Sequence, residues 1–224
     1  MRLLLFIAIG VGLAGSHALA QTTTNAAVSA TTSSTPPPTT AAPEDAWSFS
    51  ALAYAFFVPD SPEYVQPTFT ADRGGLHLEA RYNYENLDTG SAWIGYNFSM
   101  GNKVSLEFTP MLGGVFGDTD GIAPGYKGTL SWRNLELYSE AEYVFNTRDS
   151  SENFFYTWSE LTLSPVDWFR FGLVVQRTKA YETDFEIQRG FLIGFSYKRV
   201  DFTTYVFNPD MSRPTVVVGI GVNF

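Results

Sequence analysis

At 224 residues the chain has room for one large all-β domain or two small ones. Aromatic side chains make up 16% of it and charged ones only 17%, yet nothing after the N-terminus matches the roughly 20 consecutive apolar residues of a membrane helix, which excludes a helical membrane bundle. A formal net charge of −9 with no basic stripe excludes nucleic acid as a partner, and the absence of cysteine excludes a disulfide scaffold and a lipid-modified cysteine.

The chain opens with the features of a secretory signal peptide over residues 1–20. Arg2 supplies the positive start, Leu3 to Leu13 the apolar core, and Ala18-Leu19-Ala20 an A-x-A cleavage site before Gln21. Cleavage there removes one of the 14 basic residues and no acid, so the exported part carries 13 against 23, a net of −10. Residues 21–46 are rich in Thr, Ala and Ser around Pro36-Pro37-Pro38 and nearly free of large apolar side chains. Such a stretch cannot bury enough surface to offset its ordering entropy, which predicts a disordered periplasmic segment. A spacer, a plug threaded into a barrel and a tether to the cell wall are all compatible with that composition.

From Trp47 onward the pattern has period two. Leu76, Leu78, Ala80, Tyr82 and Tyr84 alternate with His77, Glu79, Arg81 and Asn83. Successive side chains of a strand point to opposite sides of its sheet, so this run predicts a strand with one apolar and one ionisable face. The layout recurs: Val104, Leu106 and Phe108 oppose Ser105, Glu107 and Thr109, and Leu135, Leu137, Ala141 and Tyr143 oppose Glu136, Tyr138, Glu140 and Glu142. The predicted strands cover 47–57, 64–72, 75–86, 91–99, 103–113, 122–132, 134–145, 153–163, 167–178, 186–197, 200–208 and 214–224. Reading the segments near Tyr64–Asp72 or Gly114–Gly125 differently would give ten or fourteen strands in place of twelve.

The connections alternate in length. Tight ones fall at Arg73-Gly74, Met100-Gly101-Asn102, Arg133, Ser164-Pro165-Val166 and Lys198-Arg199. Longer polar ones fall at Pro59–Glu63, Leu87–Gly90, Gly114–Gly121, Asn146–Glu152, Lys179–Phe185 and Asn208–Arg213. Short turns at one rim and long loops at the other are the layout of an up-and-down transmembrane barrel. A soluble sandwich also alternates, but its strands run nearer about 5–6 residues, whereas these approach the roughly 9–11 needed to cross a bilayer at a tilt. Charged residues stand at strand centres, and aromatics gather near strand ends. Phe98, Trp132, Phe169, Tyr197, Phe202 and Phe224 are assigned to an aromatic girdle at the short-turn rim, and Tyr84, Tyr143, Phe145, Phe155 and Phe207 to one at the loop rim. The expected fold is all-β, a closed antiparallel up-and-down transmembrane barrel of about twelve strands over residues 47–224. Hydrocarbon offers no partner to a free sheet edge, so the first strand must pair the last.

The terminal segment from Thr215 to Phe224 resembles the closing strand of the bacterial outer-membrane β-barrel superfamily, porin-like members of about twelve strands included. Val216, Val218, Ile220, Val222 and Phe224 hold the alternating apolar register and terminal aromatic of that strand. The resemblance implies an outer-membrane location, contact with lipid and lipopolysaccharide, and recognition of Phe224 as an assembly signal by the barrel-assembly machinery. It spans residues 47–224 and is architectural; it does not select among nucleoside channels, acidic-sugar channels, autotransporter translocators and an outer-membrane phospholipase.

The residues expected to line the lumen are His77, Glu79, Arg81, Glu107, Lys127, Glu136, Glu140, Glu142, Glu160 and Arg170. Asp72, Arg133, Lys198 and Asp201 belong to the same inward set. Acidic and basic ladders on a pore wall select solutes; zipped together, the same residues would fill a closed barrel, and both readings stand at this point. The first implies a passive channel for a small hydrophilic solute, the second a structural or adhesive barrel. His77 is the sole histidine after the signal, and no nucleophile–base pair or metal-ligand set accompanies it, so neither an enzyme nor a cofactor is expected. Asp118-Thr119-Asp120-Gly121 has part of a calcium loop but lacks the remaining ligands. Arg189 falls on the lipid-facing register near the loop rim, where it could pair a lipid phosphate. No feature specifies an oligomeric state.

Overall fold

The computed structural model describes residues 46–180 and 186–224. The expected signal peptide and all but the last residue of the Thr/Ala/Pro-rich segment lie outside the described residues. The strands are β1 (Ser48–Phe57), β2 (Tyr64–Arg73), β3 (Leu76–Tyr82), β4 (Thr89–Tyr96), β5 (Phe98–Gly101), β6 (Val104–Gly117), β7 (Gly121–Trp132), β8 (Leu135–Asn146), β9 (Phe154–Val166), β10 (Phe169–Ala180), β11 (Glu186–Tyr197), β12 (Val200–Phe207) and β13 (Thr215–Asn223). All pairings are antiparallel and, apart from β4 with β6, join chain neighbours, while β1 pairs β13, which closes the sheet. Strands β4 and β5 both pair β6 and are two pieces of one stave broken at Asn97, so the barrel has twelve staves. At the seam, the Phe224 N–H donates to the Phe49 carbonyl at 2.9 Å, and the Phe49 N–H donates to the Phe224 carbonyl at 3.1 Å.

Alternation determines which side of the wall each side chain takes. Along β10, Phe171 and Leu173 are exposed, while Val174 and Gln176 are buried; Leu173 is 64% exposed. Ile94, Leu112, Leu137, Leu161, Phe191 and Ile220 repeat this around the circumference. A continuous apolar outer belt of this kind is stable against acyl chains and not against water. Trp132, Phe169, Tyr197 and Phe224 lie at stave ends on the short-turn rim, Phe98 and Phe202 lie a few residues inside it, and Tyr143, Phe145 and Phe155 lie toward the loop rim.

Several boundaries shift. β6 runs on to Gly117, so the expected Gly114–Gly121 loop shrinks to 118–120; β9 runs on to Val166, which moves the turn to Asp167-Trp168. The predicted 75–86 strand ends at Tyr82, because Asn83 takes the left-handed conformation (φ 57°) and donates its side chain to the Val65 carbonyl at 3.0 Å. Tyr84 consequently leaves the lipid-facing register and is buried in the lumen. Phe207 is likewise fully buried, on the inward register of β12. These two residues are corrections to the loop-rim girdle. Arg133 and Lys198 occupy left-handed turn positions (φ 55° and 57°), and each lies over its neighbouring ring, Trp132 or Tyr197; both stand at the rim and not in the lumen.

Candidate functional site

The lumen is built from inward residues on every stave. His77, Glu79 and Arg81 follow one another on the inner face of β3, and β8 supplies Glu136, Tyr138, Glu140 and Glu142. Arg81 is the hub of the loop-side half. Its Nη1 lies 2.9 Å from Glu142 Oε2 and 3.7 Å from Glu85 Oε1, and its Nε donates to Glu79. Lys127, on β7, makes a second ion pair with Glu79. The bond from β3 to β8 crosses the lumen, since β4, β6 and β7 lie between these strands in the wall.

Two aromatic rings sandwich the guanidinium, Tyr84 at 4.0 Å and Trp93 at 4.4 Å from their centroids. A planar, weakly hydrated cation suits that position. Trp93 finds room because β6 and β7 present Gly113 and Gly125 beneath it: a Cβ on Gly113 would lie 2.4 Å from the indole. Tyr84 donates to Glu140 Oε1 at 2.6 Å, and Tyr138 donates to its other oxygen at 2.7 Å. Glu85 accepts from Ser91 at 2.6 Å and from the Trp93 indole at 3.2 Å. Glu85 belongs to the connection between β3 and β4, outside the spanning strands. Burial pushes its carboxyl above the ordinary carboxylate range, against the opposing pull of Arg81. The connection is tied down by Gln66, whose amide donates to the Asn83 carbonyl at 2.6 Å.

A second cluster occupies the other side. Glu160 Oε1 accepts from Trp158 at 2.8 Å and Tyr205 at 3.0 Å, and Arg170 donates to Thr203 at 2.6 Å and stands 3.6 Å from Asp201. Trp158, Tyr54 and Tyr205 are buried with them. In the short-turn half the lumen widens into a cavity of about 200 Å³ bordered by Thr68, Thr70, His77, Glu107, Lys127 and Tyr138, among others.

Of the ten residues predicted to line the lumen, seven are buried and three half-buried. His77, Glu79, Arg81, Glu140, Glu142, Glu160 and Arg170 are buried, and Glu107, Lys127 and Glu136 are half-buried. They do not form one ladder. Glu79, Arg81, Lys127 and Glu142 are bonded into one group, Glu160 and Arg170 belong to the other, and Glu136 accepts, among the described residues, only a 3.4 Å bond from Ser131. His77, which has no partner obvious from sequence spacing, stands opposite Asp72 across the β2–β3 turn, with its Nδ1 2.7 Å from Asp72 Oδ1. The sequence reading missed Tyr84, Glu85 and Trp93 as lumen residues. The signal for Glu85 was present in its odd-numbered register with Arg81; none existed for Tyr84. In the loops, Asp120 accepts from the Gly117 N–H and pairs with Arg148, so the calcium-like run is a tight hairpin. Arg189 does point outward, and it pairs Asp210 at 3.2 Å.

No protein-family model matches the chain, and no curated protein matches it in sequence. Solved structures do match in fold. One, described as the KdgM porin, superposes with a TM-score of 0.56 at 11% identity over 78% of this chain and 99% of that one. A second, described as the KdgM porin in complex with disordered oligogalacturonate, gives 0.53 at 12% identity over 79% and 98%. Identity at this level carries the architecture alone. Closure of twelve antiparallel staves, the apolar outer belt and these matches together give the chain the fold of the porin-like outer-membrane β-barrels.

Proposed function

We propose that the protein is a passive outer-membrane channel for small hydrophilic solutes, held narrow by the belt around Arg81. The observation that carries this reading is the inner wall, where ionisable and hydroxyl side chains replace the apolar packing that a purely structural barrel could use at lower desolvation cost. The porin fold of its structural neighbours supports it. Purified protein in a planar bilayer is expected to give discrete conductance steps, and Tyr84→Ala, which removes a ring from the constriction, is expected to enlarge them. A correctly folded barrel silent in both forms would defeat the proposal.

A second reading, a closed structural or adhesive barrel, draws on the large side chains Trp158, Tyr54, Tyr205 and Arg81, which are all buried. Under that reading Tyr84→Ala lowers stability without creating conductance.

A further inference from the structure

The cavity in the short-turn half of the lumen has a chemical character of its own. Thr68 and Thr70 border it, are 8% and 9% exposed, and make no side-chain hydrogen bond among the described residues. Both hydroxyls open onto the cavity, so a solute seated there would find two hydrogen-bond partners on one wall. His77 borders the same space at 4% exposure, and its Nε2 makes no hydrogen bond, lying 3.5 Å from Glu79.

The charges facing this space do not balance. Lys127 is engaged by Glu79, and His77 by Asp72. Glu107 borders the cavity and has no ion pair or hydrogen bond among the described residues. It stands opposite Thr129 on β7, one inward position from the Thr109–Lys127 pair, yet the Lys127 ammonium turns toward Glu79 instead. The spare charge on the wall is therefore negative.

We propose that this cavity is a binding subsite for the positively charged group of a small solute, with Glu107 as its counter-charge and the Thr68 and Thr70 hydroxyls as hydrogen-bond partners. Conduction in preference for cations over anions follows, and that part rests on the channel reading. An anionic solute would meet Glu107 unpaired and find Lys127 already occupied, a repulsion that partial exclusion of water strengthens.

The test uses full-length protein, with putrescine as the cationic probe and succinate as an anionic probe of matching length. In a planar bilayer under a KCl gradient, the reversal potential should report a K⁺/Cl⁻ permeability ratio above one, lowered severalfold in Glu107→Gln. Putrescine, and not succinate, should reduce the current. An anion-selective wild type, or a Glu107→Gln channel with unchanged selectivity and block, overturns the proposal while leaving the channel reading intact. Absence of conductance instead defeats the channel reading, and the subsite is then read in detergent. Putrescine should raise the unfolding temperature of the wild-type barrel and not of Glu107→Gln, and no rise in the wild type overturns the subsite. Should Glu107→Gln fail to fold, Thr70→Val replaces it, with weaker putrescine binding as the expected result and unchanged binding as the contrary one.

Discussion

The Arg81 guanidinium sits 4.0 Å from the centre of the Tyr84 ring, although strict alternation from Arg81 would send Tyr84 to the opposite face of the sheet. The left-handed turn at Asn83 makes the contact. It ends the strand, carries the chain inward and lays Tyr84 and Glu85 across the lumen. The buried cluster is thus made partly by a loop, and its centre is one cation serving three carboxylates. Arg81→Ala would leave Glu142 buried without its ion-pair partner and Glu79 with Lys127 as its remaining salt bridge. A loss of about 3–5 kcal/mol is expected, the usual cost of removing one member of a buried ion pair. Urea unfolding in detergent, followed by heat-modifiable mobility on a gel, measures it. Arg81→Lys should recover only part, since an ammonium cannot bridge Glu79 and Glu142 from a single plane.

Glu85 gives the connection between β3 and β4 a pH dependence. Its carboxyl is raised by burial, so its contribution to the packed loop is fully present below the ordinary carboxylate pKa and is lost as pH rises through the raised value. Arg81 and Glu142 are the charged groups beside it, and Ser91 and Trp93 are its hydrogen-bond donors. Protease cleavage near the exposed Leu87 should accelerate from acid toward neutral and alkaline pH in the folded wild type, and Glu85→Gln should flatten that rise. Equal slopes in both proteins would remove Glu85 as the cause.

Large inward side chains are matched to glycines across the strand pairing. Because a Cβ on Gly113 would stand 2.4 Å from the Trp93 indole, Gly113→Ala must displace a ring already held under Arg81. Overpacking of this kind costs about 1–3 kcal/mol. Near-ultraviolet circular dichroism should show the altered indole environment alongside the lower unfolding midpoint.

The outer belt can be tested at its most exposed point. Leu173 lies within β10, between Leu161 and Phe191 on the neighbouring staves. Leu173→Arg should cost about 2–4 kcal/mol in a bilayer, as charged residues near the midplane of a barrel do. The same change in a soluble sheet exposed to water would be close to neutral. Comparing refolding yields into lipid vesicles separates the two.

Phe224 closes the seam through its backbone bonds to Phe49 and presents an exposed ring at the short-turn rim. Deleting it is expected to reduce the amount of heat-modifiable protein in the outer membrane severalfold while leaving the refolding of purified chain in detergent much less affected. Equal loss in both assays would mean that the residue acts through stability and not through recognition during assembly.

The sequence by itself determined the sheet, its two faces and its closure. A period of two leaves no freedom over which side of the wall Leu173 or Glu160 takes, and hydrocarbon tolerates no free edge, so β1 had to meet β13. The expected lining residues were read from the same parity. Tertiary structure alone decided who meets whom inside. Arg81 reaches Glu142 because β3 and β8 face one another across the lumen, and His77 reaches Asp72 through the pairing of β2 with β3. Tyr84 joins them because one residue of left-handed backbone outweighs an alternating pattern. Linear spacing encodes direction from the wall, whereas contacts across a cylinder depend on its circumference, its stagger and the loops that fold into it.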